Sequence, residues 1–295
     1  MQQPRLSHWA LLGFLSIAWG FAFYLIAVAL GSFGPITIVA IRLSVGTLTL
    51  YVLMRWQGHR LPPLGPWWPR FTILAIFGNA LPFSLIAWAE TRISSAQAGL
   101  LMALMPISTM VLSHYFVAGD GLTRRKLVGV MLGFLGVAVL VGGDVLGGHF
   151  GGELFAQLVV LAATLSYAAN TVYTKRVPEE INVLVMAVGA LLVGSMILLP
   201  ISLALEQPQL TMAVVPDFMA ALLLGVVSTG LATWAYFKVV TDCGPSFLSL
   251  INYIIPAIAF SAGVLFLNEQ AHWTQFFGLA IVLLGIGLTQ KSGRN

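Results

Sequence analysis

Ten uncharged side chains that can hydrogen-bond, stack or flex lie inside long apolar runs of this chain: Trp19, Asn79, Phe83, Met102, Tyr167, Asn170, Thr229, Thr233, Trp234 and Asn252. The chemistry open to them is recognition. Amides and hydroxyls exchange hydrogen bonds with a solute, aromatic faces pack against it, and a thioether adapts to its shape. Asn79, Phe83 and Ile86 share one helical stripe, as do Thr229, Thr233 and Phe237. For each polar residue a second reading stands beside this one, an interhelical hydrogen bond averaging about 0.6 kcal/mol in membranes. Tyrosine and tryptophan near span ends serve as interface anchors, which suits Trp9, Trp67, Trp68 and Trp273 better than the deeper Trp19 and Trp234.

Charged and reactive residues point away from catalysis. No GxxxxGK[ST], GxSxG or HExxH pattern occurs, and the histidines at 8, 59, 114, 149 and 272 are scattered without ligand spacing. The single Cys243 rules out an internal disulfide. No catalytic residue, metal or cofactor is therefore expected. All ten carboxylates fall in loops or within about a turn of a span end, which favours movement down a gradient, or coupling through Glu90 or Glu269. Arg42 is the deepest cation, seven residues past Pro35 and so about 10 Å along its helix. It reads as snorkelling to the outer interface, the alternative being a bond to a solute carboxylate, Glu269 or Glu90.

These residues need a membrane to position them. Of 295 residues 59% are hydrophobic and 8% charged, against about 25% charged in soluble proteins. A span takes about 20 apolar residues, because the hydrocarbon core is roughly 30 Å thick. Ten such segments can be cut, at about 8–30, 35–54, 70–90, 94–117, 123–142, 152–174, 181–203, 214–240, 246–267 and 272–289. The first has no small-residue cleavage site and reads as a retained span. With the N-terminus inside, Arg5, Arg55, Arg60, Arg70, Arg124, Arg125, Lys126, Lys175, Arg176, Lys291 and Arg294 all fall on the cytoplasmic side, and Arg92 alone falls opposite. The net charge of +4 is thus a matter of orientation, and no nucleic-acid partner is expected.

The chain also repeats itself. GLLMALMPISTMVLSHYFV (99–117) lies over SLINYIIPAIAFSAGVLFL (249–267), placing Pro106 over Pro256. A one-residue adjustment then brings Asp120 over Glu269, Gly129 over Gly278 and Gly136 over Gly285. Residues 1–145 and 146–295 read as two five-span units, and an odd number of spans inserts the second in the opposite direction. Each proline removes a helical hydrogen bond in mid-span and either fixes a static kink or marks a turn that flexes during gating. As a matched pair, Pro106 and Pro256 read as hinges.

AWGFAFYL (18–25), FGPITIVAIRL (33–43), the two prolines and NEQAHWTQFFGLAIVLLGIGL (268–288) resemble the EamA-type members of the drug/metabolite transporter superfamily, with bacterial inner-membrane exporters of aromatic amino acids as the nearest likeness. The resemblance implies an all-α integral membrane fold of ten transmembrane helices, two inverted five-helix repeats around a central cavity. That cavity would be walled mainly by spans one, three, four, six, eight and nine. GDGLT (119–123) departs from the pattern where an acidic residue of the Glu269 type is usual, and Asp120 is taken as its substitute. The expected activity is export of small metabolites, neutral or aromatic amino acids foremost, by alternating access in the inner membrane, both termini cytoplasmic. A multidrug or nucleoside-type efflux carrier is the alternative. The expected partners are a small-molecule substrate and lipid, with one copy as the working unit.

Overall fold

The computed structural model describes residues 4–117, 123–146, 152–175, 181–209 and 213–290. Asp120, Arg176, Lys291 and Arg294 lie outside them. All regular structure among the described residues is helical. Eight helices are long and apolar enough to cross a bilayer: α1 Leu6–Ala29, α2 Pro35–Trp56, α3 Trp67–Ala89, α4 Ser95–Phe116, α5 Arg124–Gly142, α6 Gly152–Thr174, α7 Val183–Leu205 and α8 Val215–Cys243. Two shorter apolar helices complete the set, α9 Ile251–Phe266 and α10 Trp273–Gln290.

The ends of these helices follow from local chemistry. Pro35 opens α2, where a missing N–H is harmless, and the Ser94 and Asn182 side chains cap α4 and α7. Two further caps come from distant carboxylates. Glu206 accepts from the Ile36 and Thr37 amides at 3.0 and 2.7 Å, and Glu269 accepts from Ser95 and Ala96 at 2.8 and 2.9 Å. Gly244, with φ of +85°, adopts a backbone conformation that a Cβ would strain, and stops α8. A single helical turn, Pro245–Leu248, follows before α9 begins, which is why α9 is shorter than the apolar run containing it.

Two helices depart from α geometry in mid-course. Ile76–Ala80 of α3 and Val226–Leu231 of α8 wind as π-turns, their starts 150 residues apart. In α3 the cause lies downstream: Pro82 has no N–H for the Gly78 carbonyl, so the ladder widens. Ala232 stands at the matching place in α8, so a proline does not explain that π-turn. In α4, Met102–Leu104 tighten to a 3-10 turn that ends two residues before Pro106.

Packing closes eight of the helices into a ring. Going round it, α1 touches α9, α9 touches α4, and α4 touches α6; then α6 meets α3, α3 meets α7, α7 meets α2, α2 meets α8, and α8 returns to α1. Helices α5 and α10 form a pair outside, their Leu127, Met131, Phe134, Phe276, Phe277 and Leu284 exposed as lipid-facing surfaces must be. With lipid as apolar as leucine, close backbone contact at small residues holds such helices together. A Cβ on Gly129 would stand 2.6 Å from the Gly285 carbonyl, and one on Gly136 would stand 2.8 Å from that of Gly278. The α5–α10 seam is therefore glycine on glycine, and the two helices run antiparallel.

Candidate functional site

Construction of the site starts with α2 and α8. A Cβ on Gly46 would lie 2.7 Å from Thr229 Cγ2, one on Gly225 2.5 Å from Val45 Cβ, and one on Gly230 2.6 Å from Thr49 Cβ. Glycine at all three places lets the helices touch and brings Thr229 beside Arg42. Arg42 is 5% exposed; its Nε donates to Thr229 Oγ1 at 2.8 Å, and its Cζ stands 3.7 Å from the centre of the Phe83 ring. The snorkelling reading is therefore corrected: Arg42 turns inward. A hydroxyl acceptor and an aromatic face within reach offer the cation a shorter route than the interface does. Tyr167 of α6 meets Phe83 edge-on, ring centres 6.2 Å apart, so α2, α3, α6 and α8 each contribute to one buried cluster.

The two π-turns border this cluster, and each leaves a carbonyl to be satisfied from a neighbouring helix. In α8, Ser228 O accepts from Trp19 Nε1 at 3.0 Å while Ser228 Oγ donates to Ala18 O at 2.8 Å. In α3, Phe77 O accepts from Ser166 Oγ at 2.9 Å. Asn79 Nδ2 donates to Leu74 O of its own helix at 3.2 Å. Asn170 packs against Gly78, where a Cβ would come within 2.7 Å of Nδ2, and its Oδ1 is buried with no hydrogen-bond partner among the described residues.

Of the ten residues read from sequence, Phe83, Tyr167 and Thr229 meet around Arg42, Trp19 joins them through Ser228, and Asn79 and Asn170 flank Gly78. Trp234 packs between the main core and the α1–α8–α9 cluster. Met102, Thr233 and Asn252 are half-buried, and no described bond ties them to Arg42. Two surface grooves also occur, about 320 Å³ between α2 and α7 and about 290 Å³ along α9; none of the ten lines either.

One residue with a place here, Ser228, has no counterpart in the sequence analysis, and two others, Arg42 and Glu90, take a setting different from the one expected. The inward course of Arg42 has a signal in Gly46, one turn on in the same helix, since a small residue there announces close approach by a neighbour. Ser228 carried no signal beyond its proximity to Thr229. Glu90, at the end of α3, is expected from sequence as a coupling group near a span end, and both its carboxylate oxygens are buried without a hydrogen-bond partner among the described residues.

The model of the EamA-like transporter family matches the chain twice, over residues 7–142 and 154–290. An uncharacterized transporter of Bacillus subtilis, YvbV, is 26% identical over 293 residues, covering 99% of this chain and 94% of its own. The uncharacterized inner membrane transporter YedA of Escherichia coli is 23% identical over 281 residues, covering 93% and 87%. A probable terminal-alkyne amino-acid exporter of Streptantibioticus cattleyicolor is 26% identical over 285 residues, covering 96% and 93%. A crystal structure with 19% sequence identity superposes with a TM-score of 0.66 over 99% of both chains, a likeness of fold. A membrane-embedded helical ring, a buried polar and aromatic cluster and two matches to one family model agree: this chain belongs to the EamA-like transporter family.

Proposed function

We propose that the protein exports small metabolites, neutral or aromatic amino acids foremost, across the bacterial inner membrane by alternating access. The observation that carries the reading is the Arg42–Phe83–Tyr167–Thr229 cluster, a cation with aromatic and hydroxyl neighbours inside a ring of apolar helices. A wall of that kind suits small zwitterions better than polyanions. The name of the Streptantibioticus relative, a probable amino-acid exporter, supports the same substrate class. Movement is facilitated or gradient-driven and not ATP-driven, in keeping with a sequence that has no P-loop pattern.

In this reading ten spans form two inverted five-helix repeats, with both termini cytoplasmic. Several observations support it. The order of neighbours around the ring is unchanged when α1 to α5 are exchanged with α6 to α10. The π-turns fall at matching places, and the Gly129–Gly285 contact is the twofold mate of Gly278–Gly136. Likewise Glu206, ending α7, binds the start of α2, while His59, just past α2, pairs with Asn182 at the start of α7. Pro106 and Pro256 act as the flexing turns.

The test is a competition screen on purified protein in liposomes. Labelled L-phenylalanine should cross faster than in protein-free liposomes, and unlabelled aromatic amino acids should slow it more than nucleosides or cationic drugs do. Competition by nucleosides or cationic drugs, with none by amino acids, would replace this reading with that of a different efflux carrier.

A further inference from the structure

We infer that Arg42 and Glu90 form the two poles of a zwitterion site, the guanidinium taking the solute carboxylate and Glu90 its ammonium group. The inference rests on the amino-acid reading above and deepens it by naming the groups that recognise both charges.

Glu90 is the starting point, because both its oxygens are buried without a hydrogen-bond partner among the described residues. A carboxyl buried without a partner keeps its proton unless a cation comes to it, so Glu90 serves as the anionic pole when an ammonium group arrives and is free to release it again. Glu269, the carboxylate whose field Glu90 feels most, is already engaged by the Ser95 and Ala96 amides. Glu90 is the one of the two with its acceptors free.

Arg42 supplies the opposite pole. A guanidinium has five N–H donors, and here Nε alone is bonded, to Thr229. Its terminal fork, the part that matches a carboxylate bidentately, carries no hydrogen bond among the described residues. Arg42 and Glu90 interact electrostatically, yet no ion pair joins them. Had they closed on each other they would form a structural bridge with nothing left for a solute.

Their placement suits a small amphiphile. Glu90 follows Phe83 by seven residues, which is two turns along the same face of α3 and about 10 Å. Arg42 lies over the Phe83 ring, so the anionic pole stands toward the end of α3 where the chain turns into α4, and the cationic pole lies deeper. Phe83 and Tyr167 provide the aromatic wall for a side chain. A solute with one charge would leave the other pole unpaired, so both charges are selected together.

Liposome flux of labelled L-phenylalanine tests this with two single-charge competitors, phenethylamine, which lacks the carboxylate, and 3-phenylpropionate, which lacks the ammonium. Against the unaltered protein each should compete at least about ten-fold more weakly than phenylalanine itself, as expected for losing a charged hydrogen bond. Glu90→Gln should erase the preference for phenylalanine over 3-phenylpropionate and keep that over phenethylamine; Arg42→Gln should do the reverse. Arg42 is packed deeply enough that its variant can fail to fold, and then the competitors on unaltered protein and the Glu90→Gln variant decide. Equal competition by either analogue, or a Glu90→Gln protein with unchanged preferences, overturns the inference and leaves amino-acid transport standing. No phenylalanine flux above protein-free liposomes overturns the amino-acid reading and the inference with it.

Discussion

Valine in place of Thr229 keeps the branched shape that packs against Gly46 but removes the acceptor for Arg42 Nε. A buried charged donor then loses its partner, at about 1–3 kcal/mol. Thr229→Val should therefore lower the thermal unfolding midpoint in detergent, and an unchanged midpoint would show that Arg42 draws nothing from this bond. On the functional side, Asn79→Ala, Thr229→Ala and Asn252→Ala should each reduce liposome flux at equal protein level. Normal flux in all three would put the solute path on another face. At this scale the sequence was partly legible: polar residues stand out in apolar runs, so Phe83, Tyr167 and Thr229 could be picked before their meeting was seen. Direction was not legible. Whether Arg42 turns outward or inward depends on what α8 and α3 bring to it, and those are contacts across 41 residues or more of chain.

Helices α4 and α9 carry the prediction that belongs to elements. Proline leaves one backbone bond unmade, and in α4 the turn ahead of Pro106 is already a 3-10 turn rather than α-helix. If these turns flex during the cycle, Pro106→Ala and Pro256→Ala should slow turnover more than they weaken substrate binding, measured as maximal flux against half-saturation. Unchanged turnover in both would make the prolines static kinks. The spans themselves were readable from hydropathy, because a bilayer demands about 20 apolar residues whatever their packing. The π-turns were not readable, since widening a turn by one residue alters neither the apolar character nor the length of a helix. Pro82 held the one clue in α3, and α8 reaches the same geometry without it.

For the molecule as a whole, the seam between α5 and α10 separates architecture from transport. A Cβ on Gly285 would lie 2.6 Å from the Gly129 carbonyl, so Gly285→Val must force the pair apart and should lower the unfolding midpoint. Because this pair stands outside the ring, the half-saturation concentration of any protein that still folds should be unchanged. A shift there would mean that α10 shapes the solute path. The doubled pattern of prolines and glycines was legible in the sequence because it recurs in the same order, with one residue of adjustment between the prolines and the glycines. The ring was not, since which helices become neighbours is set by contacts between distant segments. The account depends above all on the second five helices crossing the bilayer opposite to the first, with the solute path between them. Gly152, at the start of α6, has no described atom within 4 Å of where a Cβ would lie, which makes it the place for a cysteine once Cys243 is replaced by serine. Labelling of Gly152→Cys in spheroplasts by a membrane-impermeant maleimide is predicted to proceed from outside, and labelling only after the membrane is opened would contradict the account.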